Sequence, residues 1–441
     1  MLLLHVSDIH FRAPDCLDPN LDPDRPYRTM LLQDVRIMVA DLGSVGAILI
    51  GGDIAFKGAP QEYQTAMVWI RELAAVAGCP PERIFAIPGN HDVDRSVIVG
   101  SPAVRNAQSA IARAAAERRE RELRNQIGDR DTKRALLRPI KAYNNFAKRL
   151  NCQVYLPERL YWKQDLNLED GAVLRLHGLT STFLSGADGA DDARGTLYLS
   201  PLQTVLDPVA DVVNLVLCHH PPDWLLDQDD ADDAISARAA IHMFGHKHRQ
   251  RILRNTNFVR FSAGAVNPDR NEPGWSPGYN LVEVHVRGKG RDREVTVDAH
   301  LRQWQNPDRF RSMVTQENET VFRHVIRFPS PASHHAIGLP AAPQPNPGDT
   351  ASEAAAMEVE SGTVDVEAAM GDASTRNLVF RFWNLTTSER REIALRLRLI
   401  TSDEVKLPEP ERYGRALIRA GERGQLNELA REVAQKEAAH G

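Results

Sequence analysis

The chain has 441 residues, which is long for one ordinary domain, so we expect two or three domains. Its formal net charge of −5 and sequence pI of about 6.3 exclude a general attraction to polyanions, although a local basic region is compatible with these values. No run reaches the ~18 apolar residues that a membrane-spanning helix needs, so we expect no membrane contact.

The N-terminal sequence and the cysteines together indicate a cellular compartment. The first residues, MLLLHVSD, form a strand-like run without the basic segment and cleavage site of a signal peptide. The four cysteines (Cys16, Cys79, Cys152 and Cys218) show no Cys-x-x-Cys spacing, which argues against a disulfide framework and a thiolate zinc site. We therefore expect a cytoplasmic protein with reduced thiols.

In the first half of the chain, short apolar runs alternate with helix-like segments. The runs are LLLHV, VGAILIGG, RIFAIPG, VVNLVLC and AIHMFG. Each run is continuous instead of alternating, which is typical of strands that are buried on both faces of a parallel sheet. This pattern predicts an α/β domain.

The segment from 101 to 151 interrupts that pattern. It is rich in alanine, and between Arg105 and Arg149 it contains 13 Lys or Arg against five Asp or Glu. We expect a helical insertion. One interpretation is that its charges only serve solubility, with Glu and Arg at helical spacing. The alternative is a basic cap beside the active site that holds a phosphate-rich substrate.

From about residue 256 the apolar residues begin to alternate with polar ones. The segments FVRFSAGAV, GYNLVEVHV, EVTVDAHL and VFRHVIRF are separated by turn residues. This pattern predicts antiparallel strands that complete the same domain, which we expect to span 1–328.

The C-terminal part is expected to form a separate unit. Residues 329–375 are rich in Pro, Ala, Gly, Ser and acidic residues, which predicts a flexible linker. In 376–441, Thr386 and Glu389 have capping-box spacing, and Leu426, Leu429 and Val433 follow a helical repeat. We expect a small all-α domain there, either a module that recruits a protein partner or a helical tail without a special role.

Metal-binding residue types follow five of the apolar runs. In chain order they are Asp8 and His10, then Asp53, then Asn90, His91 and Asp92, then His219 and His220, and finally His246 and His248. The carboxyl ends of the strands in an open α/β sheet are where ligand sites form. Each motif alone is weak, but five in succession indicate one shared site.

This ordered set resembles the calcineurin-like metallophosphoesterase superfamily over about residues 1–328. The resemblance implies a four-layer αββα sandwich with two divalent metal ions at the strand ends. It implies that Asp8, His10 and His248 bind one ion, that Asn90, His219 and His246 bind the other, and that Asp53 bridges both. We favour His219 over His220 because His219 ends the apolar run, where the family ligand falls. Nitrogen and oxygen ligands suit Mn²⁺, Fe²⁺ or Zn²⁺.

The resemblance also implies the chemistry, which is phosphodiester hydrolysis by a hydroxide held between the two metal ions. His91 is expected to contact the phosphoryl group as a catalytic residue, and Asp92 to orient its imidazole. The sequence GDIAFKG lacks the arginine of the phosphoprotein-phosphatase motif Gly-Asp-x-Val-Asp-Arg-Gly, so the phosphodiesterase branch fits better. The expected substrate is a phosphate ester, either a nucleotide or a nucleic acid. The alternatives are a nuclease that uses the basic insertion to hold a strand and a non-catalytic scaffold or adaptor.

Overall fold

The protein is described here by a computed structural model, which covers residues 1–207, 209–267, 276–288, 293–305, 309–314, 318–328, 373–401, 403–407 and 409–439. The chain divides into a unit of residues 1–330 with 406–408 and a unit of residues 331–405 with 409–441. The expected linker at 329–375 lies almost entirely outside the described residues, so its predicted flexibility stays a prediction.

The described part of the first unit contains strands that form two mixed sheets. They are β1 (Leu2–Val6), β2 (Ala47–Ile50), β3 (Ile84–Ala86), β4 (Trp162–Asn167), β5 (Val173–Gly178), β6 (Val212–Cys218), β7 (Ile241–Phe244), β8 (Arg251–Arg254), β9 (Val259–Ser262), β10 (Gly278–Arg287), β11 (Glu294–Gln305), β12 (Arg309–Ser312) and β13 (Phe322–Arg327).

The first sheet has the order β12-β11-β10-β1-β2-β3, and β13 also pairs with β11. Strands β1, β2 and β3 are parallel, whereas β10 runs antiparallel to β1. Every residue of β1 and β2 is buried, as their continuous apolar runs predicted.

The second sheet has the order β4-β5-β6-β7-β9-β8. Its central strands β5, β6, β7 and β9 are parallel, and the edge strands β4 and β8 are antiparallel to their neighbours. The strand β9, from the segment FVRFSAGAV, was expected to be antiparallel. It is antiparallel to β8 but parallel to β7, so the expectation holds for one of its two neighbours.

Helices pack against these sheets and share their hydrophobic core. The helices of this unit are α1 (Arg25–Leu42), α2 (Pro60–Ala77), α3 (Arg95–Val99), α4 (Pro102–Arg113), α5 (Ala116–Gly128), α6 (Arg130–Leu137), α7 (Lys141–Ala147) and α8 (Gln228–Arg238). One continuous core includes residues from both sheets and from α1 and α2, for example Leu31 and Ile70. The predicted α/β sandwich is therefore confirmed.

Helices α4 to α7 form the insertion that the sequence predicted at 101–151. Its inner face is anchored by specific polar contacts. Gln108 Nε2 donates to Phe183 O at 3.1 Å, and Arg119 forms an ion pair with Asp227. Because Arg119 is 8% exposed, it belongs to this anchor and is not part of a solvated charge run.

The second unit has its own core of helices. It contains α9 (Ala373–Asn384), α10 (Thr387–Arg396), α11 (Glu409–Glu422) and α12 (Leu426–Ala439). The expected capping box is present, since Thr386 Oγ1 accepts from Glu389 N and Glu389 Oε2 accepts from Thr386 N. Leu429 and Val433 are fully buried. The predicted all-α character is thus confirmed for the described residues.

None of the helices in the described ranges has the length and apolar character that a membrane span requires.

Candidate metal centre

The predicted site residues meet where the carboxyl ends of strands from both sheets come together. Asp8 and His10 follow β1, Asp53 follows β2 and Asn90 begins the 3₁₀ turn after β3, whereas His219 follows β6 and His246 and His248 follow β7. An isolated bridge between Ser7 and Ala265 joins the two sheets at this point. Long-range topology therefore unites motifs that are more than 200 residues apart.

Asp53 lies between two groups of side chains. Its Oδ2 is 3.3 Å from His10 Nε2 on one side and 3.3 Å from His219 Nε2 on the other. Its Oδ1 accepts a hydrogen bond from the backbone N–H of His91 at 2.7 Å. The carboxylate is thus held in the central position that a bridging ligand requires.

Beside Asp53, three imidazoles surround the side-chain oxygen of Asn90. This Oδ1 atom lies 2.9 Å from His246 Nδ1, 3.1 Å from His219 Nε2 and 3.2 Å from His220 Nε2. Both neighbouring histidines therefore face the site. His219 is also close to Asp53, whereas Nδ1 of His220 lies 2.8 Å from Ser181 Oγ.

On the other side of Asp53, Asp8, His10 and His248 form a second group. His248 Nε2 is 3.3 Å from Asp8 Oδ1, and the rings of His10 and His248 lie 5.6 Å apart. The candidate ligand atoms of these three residues all lie within 4.8 Å of one another, as do those of Asp8, Asp53 and His219.

Backbone carbonyls fix which nitrogen of two imidazoles faces the site. His10 Nδ1 donates to Asn267 O at 3.0 Å, and His219 Nδ1 donates to Gly51 O at 2.7 Å. In both rings Nε2 is then unprotonated in the neutral form and points toward Asp53. This arrangement, in which the outer N–H of a histidine is bound to a carbonyl, is typical of metal-ligating histidines.

Five of the seven predicted ligands have a left-handed backbone conformation. Their φ angles are 55° at Asp8, 51° at His10, 52° at Asp53, 67° at His246 and 53° at His248. This conformation costs a non-glycine residue about 1–2 kcal/mol. Such strain concentrates at functional sites, where the surrounding structure enforces it.

Two motif glycines allow the close approach of these side chains. A Cβ on Gly89 would lie 2.2 Å from Asp53 Oδ1, and one on Gly52 would lie 2.6 Å from His219 Nδ1. Both distances are far below van der Waals contact. The glycines that precede Asn90 and Asp53 are therefore required by the packing of the centre.

The burial of these groups makes their charges interdependent. Burial alone would lower the pKa of His219, but the Asp53 carboxylate beside it raises that pKa to about 9. Burial would raise the pKa of Asp53, yet His219 and His91 hold it well below its usual range. The centre thus favours anionic carboxylates, which is the form that binds cations.

His91 occupies the rim of the centre. Its Nδ1 lies 2.9 Å from Phe56 O and therefore donates to it, and its ring stacks on Phe56 with centroids 5.0 Å apart. The remaining nitrogen, Nε2, has no hydrogen-bond partner among the described residues. The imidazole is 4.7 Å from that of His10, between ring centroids, so His91 is close to the expected ligands.

Asp92 has a different place from the one expected. Its carboxylate accepts from the backbone N–H groups of Ala55 at 3.0 Å and Gly89 at 2.9 Å, and from Tyr63 Oη at 2.8 Å. The carbonyl of Phe56, not Asp92, orients His91. Asp92 instead joins the loops that carry Asp53 and Asn90, and burial raises its pKa to about 6.

The donor types fit divalent metal ions. Carboxylate oxygens, one amide oxygen and imidazole nitrogens are the ligands of borderline ions such as Mn²⁺, Fe²⁺ and Zn²⁺. The inward-facing Nε2 atoms of His10 and His219 are positioned as ligand atoms before any ion binds. These side chains lie in two groups on either side of Asp53.

Comparison with known proteins adds two family matches. The model of the calcineurin-like phosphoesterase family matches residues 1–250, and that of the GTPase-associated adaptor domain matches residues 374–435. No curated protein matches the chain.

Several solved structures resemble parts of the chain. A putative 5′-nucleotidase from Staphylococcus aureus, in complex with alpha-ketoglutarate, is 15% identical with a TM-score of 0.38, and the match covers 72% of this chain and 56% of that one. Vps29 from Chaetomium thermophilum is 12% identical with a TM-score of 0.29, covering 74% and 98%. A predicted phosphoesterase from Streptococcus pneumoniae is 12% identical with a TM-score of 0.27, covering 74% and 97%. The chain thus spans little more than half the length of the nucleotidase.

Proposed function

This chain belongs to the calcineurin-like phosphoesterase family, as its motifs predicted, and we propose that it hydrolyses phosphodiesters at a centre that holds two divalent cations. The observation that carries the proposal is the position of Asp53, which lies between two separate groups of ligand-type side chains. A single carboxylate between two such groups suits a pair of ions better than one ion.

We assign Asp8, His10 and His248 to one ion, Asn90, His219 and His246 to the other, and Asp53 to both. When bound, such a pair of cations activates a water molecule and stabilises the charge that develops during displacement at phosphorus. His220 faces Asn90 and is fixed by Ser181, so we assign it to supporting the group of Asn90, His219 and His246.

We assign His91 to the phosphoryl group. Because Nδ1 is bound to Phe56 O, Nε2 is the atom that meets the substrate. In the protonated ring, Nε2–H donates to a phosphoryl oxygen or to the leaving oxygen. The fixed ring orientation means that little rotational freedom is lost when the substrate binds.

A metal-reconstituted activity screen tests the proposal. The protein is loaded in turn with Mn²⁺, Fe²⁺ and Zn²⁺ and assayed on bis-p-nitrophenyl phosphate, p-nitrophenyl phosphate, cyclic nucleotides and single- and double-stranded nucleic acids. We expect metal-dependent turnover of the diester that exceeds turnover of the monoester and stops with chelator. A preference for the monoester would contradict the phosphodiesterase assignment, and chelator-resistant turnover would contradict the metal centre.

A second candidate function is that of a nuclease, and it is favoured by a groove on the insertion. A cavity of about 520 Å³ between α4 and α5 is lined by Ala110, Arg113, Ala114, Ala115, Arg118, Arg121, Glu122 and Asn125. Within the described residues, none of the three arginines has an ion pair, and all three are exposed. Unpaired arginines in a concave surface suit the phosphates of a nucleic acid strand.

The groove lies on the outer face of α5. Arg118, Arg121 and Asn125 recur at helical spacing, whereas Arg119 and Leu123 point to the protein interior. We therefore expect the double variant Arg118→Glu with Arg121→Glu to weaken oligonucleotide binding and to lower the slope of log K against log salt by about one per lost contact.

The matched control for this variant reverses two exposed arginines on other helices, Arg36→Glu with Arg71→Glu. Their net charge change is identical, so general electrostatics predicts the same effect in both proteins. If the control weakens binding equally, the groove is not the binding surface. If neither variant changes binding, the nuclease candidate loses its structural support.

An adaptor role for the second unit is favoured by the family match at 374–435. We propose that these helices bind a protein partner, and the family description suggests a GTPase. Leu395 and Ile418 are apolar and 41% and 55% exposed, respectively. Replacement of each by Glu in the full chain should abolish co-elution with such a partner. Retained co-elution of both variants would exclude Leu395 and Ile418 from the binding surface.

A further inference from the structure

Arg12 lies two residues after the predicted ligand His10, at the edge of the metal centre. Its Cζ atom is 3.8 Å from the centroid of the Phe56 ring. The Phe56 ring also stacks on His91, with centroids 5.0 Å and planes 18° apart. Arg12 and His91 therefore both contact the ring of Phe56.

Backbone contacts fix this stack in place. Phe56 N donates to Phe11 O at 3.1 Å, which joins the two segments that carry Phe56 and Arg12. The carboxylate of Glu62, which is 1% exposed, accepts from Ala13 N and from Lys57 N, both at 3.1 Å. The residues that follow Arg12 and Phe56 are thus held by one buried side chain, so the guanidinium is positioned in advance.

The stacking leaves the N–H groups of Arg12 available. Across the described ranges, its side chain has no hydrogen bond and no ion pair, and it is partly exposed. Arg95, whose charge also acts on His91, is instead paired with Asp191. A stacked guanidinium with a free edge presents two parallel donors, which match the oxygens of a phosphate group.

We propose that Arg12 binds a second phosphate group of the substrate, next to the one that is cleaved. This inference rests on the proposed function, because the metal centre and His91 hold the first phosphate. The preferred substrates are then phosphodiesters that carry a further phosphate, such as a nucleotide diester with a phosphate on its other hydroxyl. Substrates with a single phosphate leave Arg12 without a partner.

Ligand binding tests this proposal without turnover. Calorimetry compares thymidine 3′,5′-bisphosphate with thymidine 5′-monophosphate in the metal-loaded and metal-free protein. In Arg12→Ala the affinity for the bisphosphate should fall about tenfold more than the affinity for the monophosphate, because one charge-assisted contact is lost. Arg12→Lys, which keeps the charge without the planar fork, should show an intermediate loss.

The control is Arg36→Ala, which removes an exposed arginine from α1 and should preserve the ratio of the two affinities. Equal losses for both ligands in Arg12→Ala would mean that Arg12 only supports Phe56 and His91, and unchanged affinities would mean that it binds no phosphate. Either result overturns the proposal. Thermal unfolding of each variant confirms that it is folded.

Kinetics separate this proposal from the proposed function. The substrates are the p-nitrophenyl ester of thymidine 5′-phosphate and the same ester with a 3′-phosphate. We expect Arg12→Ala to raise KM for the second ester by a larger factor than it lowers kcat. If the metal-loaded wild type cleaves neither ester while the affinity ratio still depends on Arg12, the hydrolase proposal fails and the phosphate subsite stands.

Discussion

The polar residues at the strand ends of the first unit are almost completely buried, whereas those of the C-terminal helices lie mainly at the surface in ion pairs. The side chains of Asp53 and His219 are 1% and 0% exposed. Those of Arg396 and Glu392, which pair within α10, are each 47% exposed. Burial of several ionisable groups in one place costs free energy unless a partner compensates it, whereas exposed pairs contribute little.

Backbone conformation separates the two regions in the same way. At the strand ends, five non-glycine ligand candidates have a positive φ. In the described part of the C-terminal unit, one non-glycine residue has a positive φ, and this is Arg398, just after α10. A left-handed residue after a helix is a common way to end it. Strain and buried charge are thus concentrated at the strand ends of the first unit, whereas the described helices of the second unit have regular backbones and exposed ion pairs.

The largest expected effect is that of replacing Asp53, the buried carboxylate between the two groups. Asp53→Asn removes the charge that offsets the repulsion between two cations, so we expect loss of both ions and of all diester hydrolysis. Metal analysis of the purified variant and the diester assay measure this. Asp165→Asn is the matched control, because Asp165 is 46% exposed and its ion-pair partner among the described residues is Arg175. Full activity of Asp53→Asn with one bound ion would show that Asp53 does not bridge.

The next effect concerns His91. We expect His91→Ala to keep both metal ions and to lose activity by ~10²–10⁴-fold, because the imidazole is assigned to the transition state. The backbone N–H of His91, which donates to Asp53 Oδ1, is unaffected by this change. Metal content and kcat are measured together. Loss of an ion in this variant would make His91 a ligand, which its proximity to His10 and Asp53 permits geometrically.

The sequence predicted the strands correctly and singled out ligand candidates that the structure brings together, because both depend on side chains with a characteristic order. That these residues bind metal ions stays a prediction. The sequence could not reveal the carbonyls of Gly51, Phe56 and Asn267 that orient the histidines, since any residue provides a carbonyl. The role expected for Asp92 failed for the same reason. Its partners are backbone N–H groups on loops that only the folded chain brings near.

Long-range packing also decides which arginines of the insertion are buried, and the charge pattern of the sequence could not show this. Arg119 and Arg118 are neighbours in sequence, yet Arg119 is buried against Asp227 and Arg118 is exposed in the groove. Their difference follows from the helical rotation between adjacent residues and from the position of Asp227, more than 100 residues later. Composition predicted a basic helical segment but could not assign its charges to two faces.

A smaller effect is expected from His242, a histidine outside the metal centre whose pKa is lowered by burial. His242 on β7 donates from Nε2 to Ala239 O and accepts from Arg260, and burial, with the charge of Arg260, lowers its pKa to about 3. The unfolded state, with a pKa near ~6.5, then binds more protons between these values, so the contribution of His242 to the free energy of unfolding should fall by about 1.4 kcal/mol per pH unit as the pH drops below ~6.5.

Denaturant unfolding at several pH values measures this slope. His242→Gln should reduce the slope between about pH 4.5 and 6 by one proton, whatever its effect on stability at neutral pH. His177→Gln provides a second case. Burial lowers the pKa of His177 to about 4, so the pH range in which the unfolded state binds an extra proton is narrower than for His242. An unchanged slope in both variants would mean that neither histidine is kept neutral by burial.

The smallest expected effect comes from removal of the second unit. The core of the first unit contains no described residue beyond Phe328, and the core of the second begins at Leu378, so the two hydrophobic cores are separate. A chain that ends after residue 330 should therefore fold, bind the same amount of metal and hydrolyse bis-p-nitrophenyl phosphate within about twofold of the full chain. Its thermal unfolding should lack only the transition of the helices. If the shortened chain unfolds or loses its metal, the C-terminal helices stabilise the first unit directly. The second unit is then not an independent helical unit, and the contrast with the strained site does not hold.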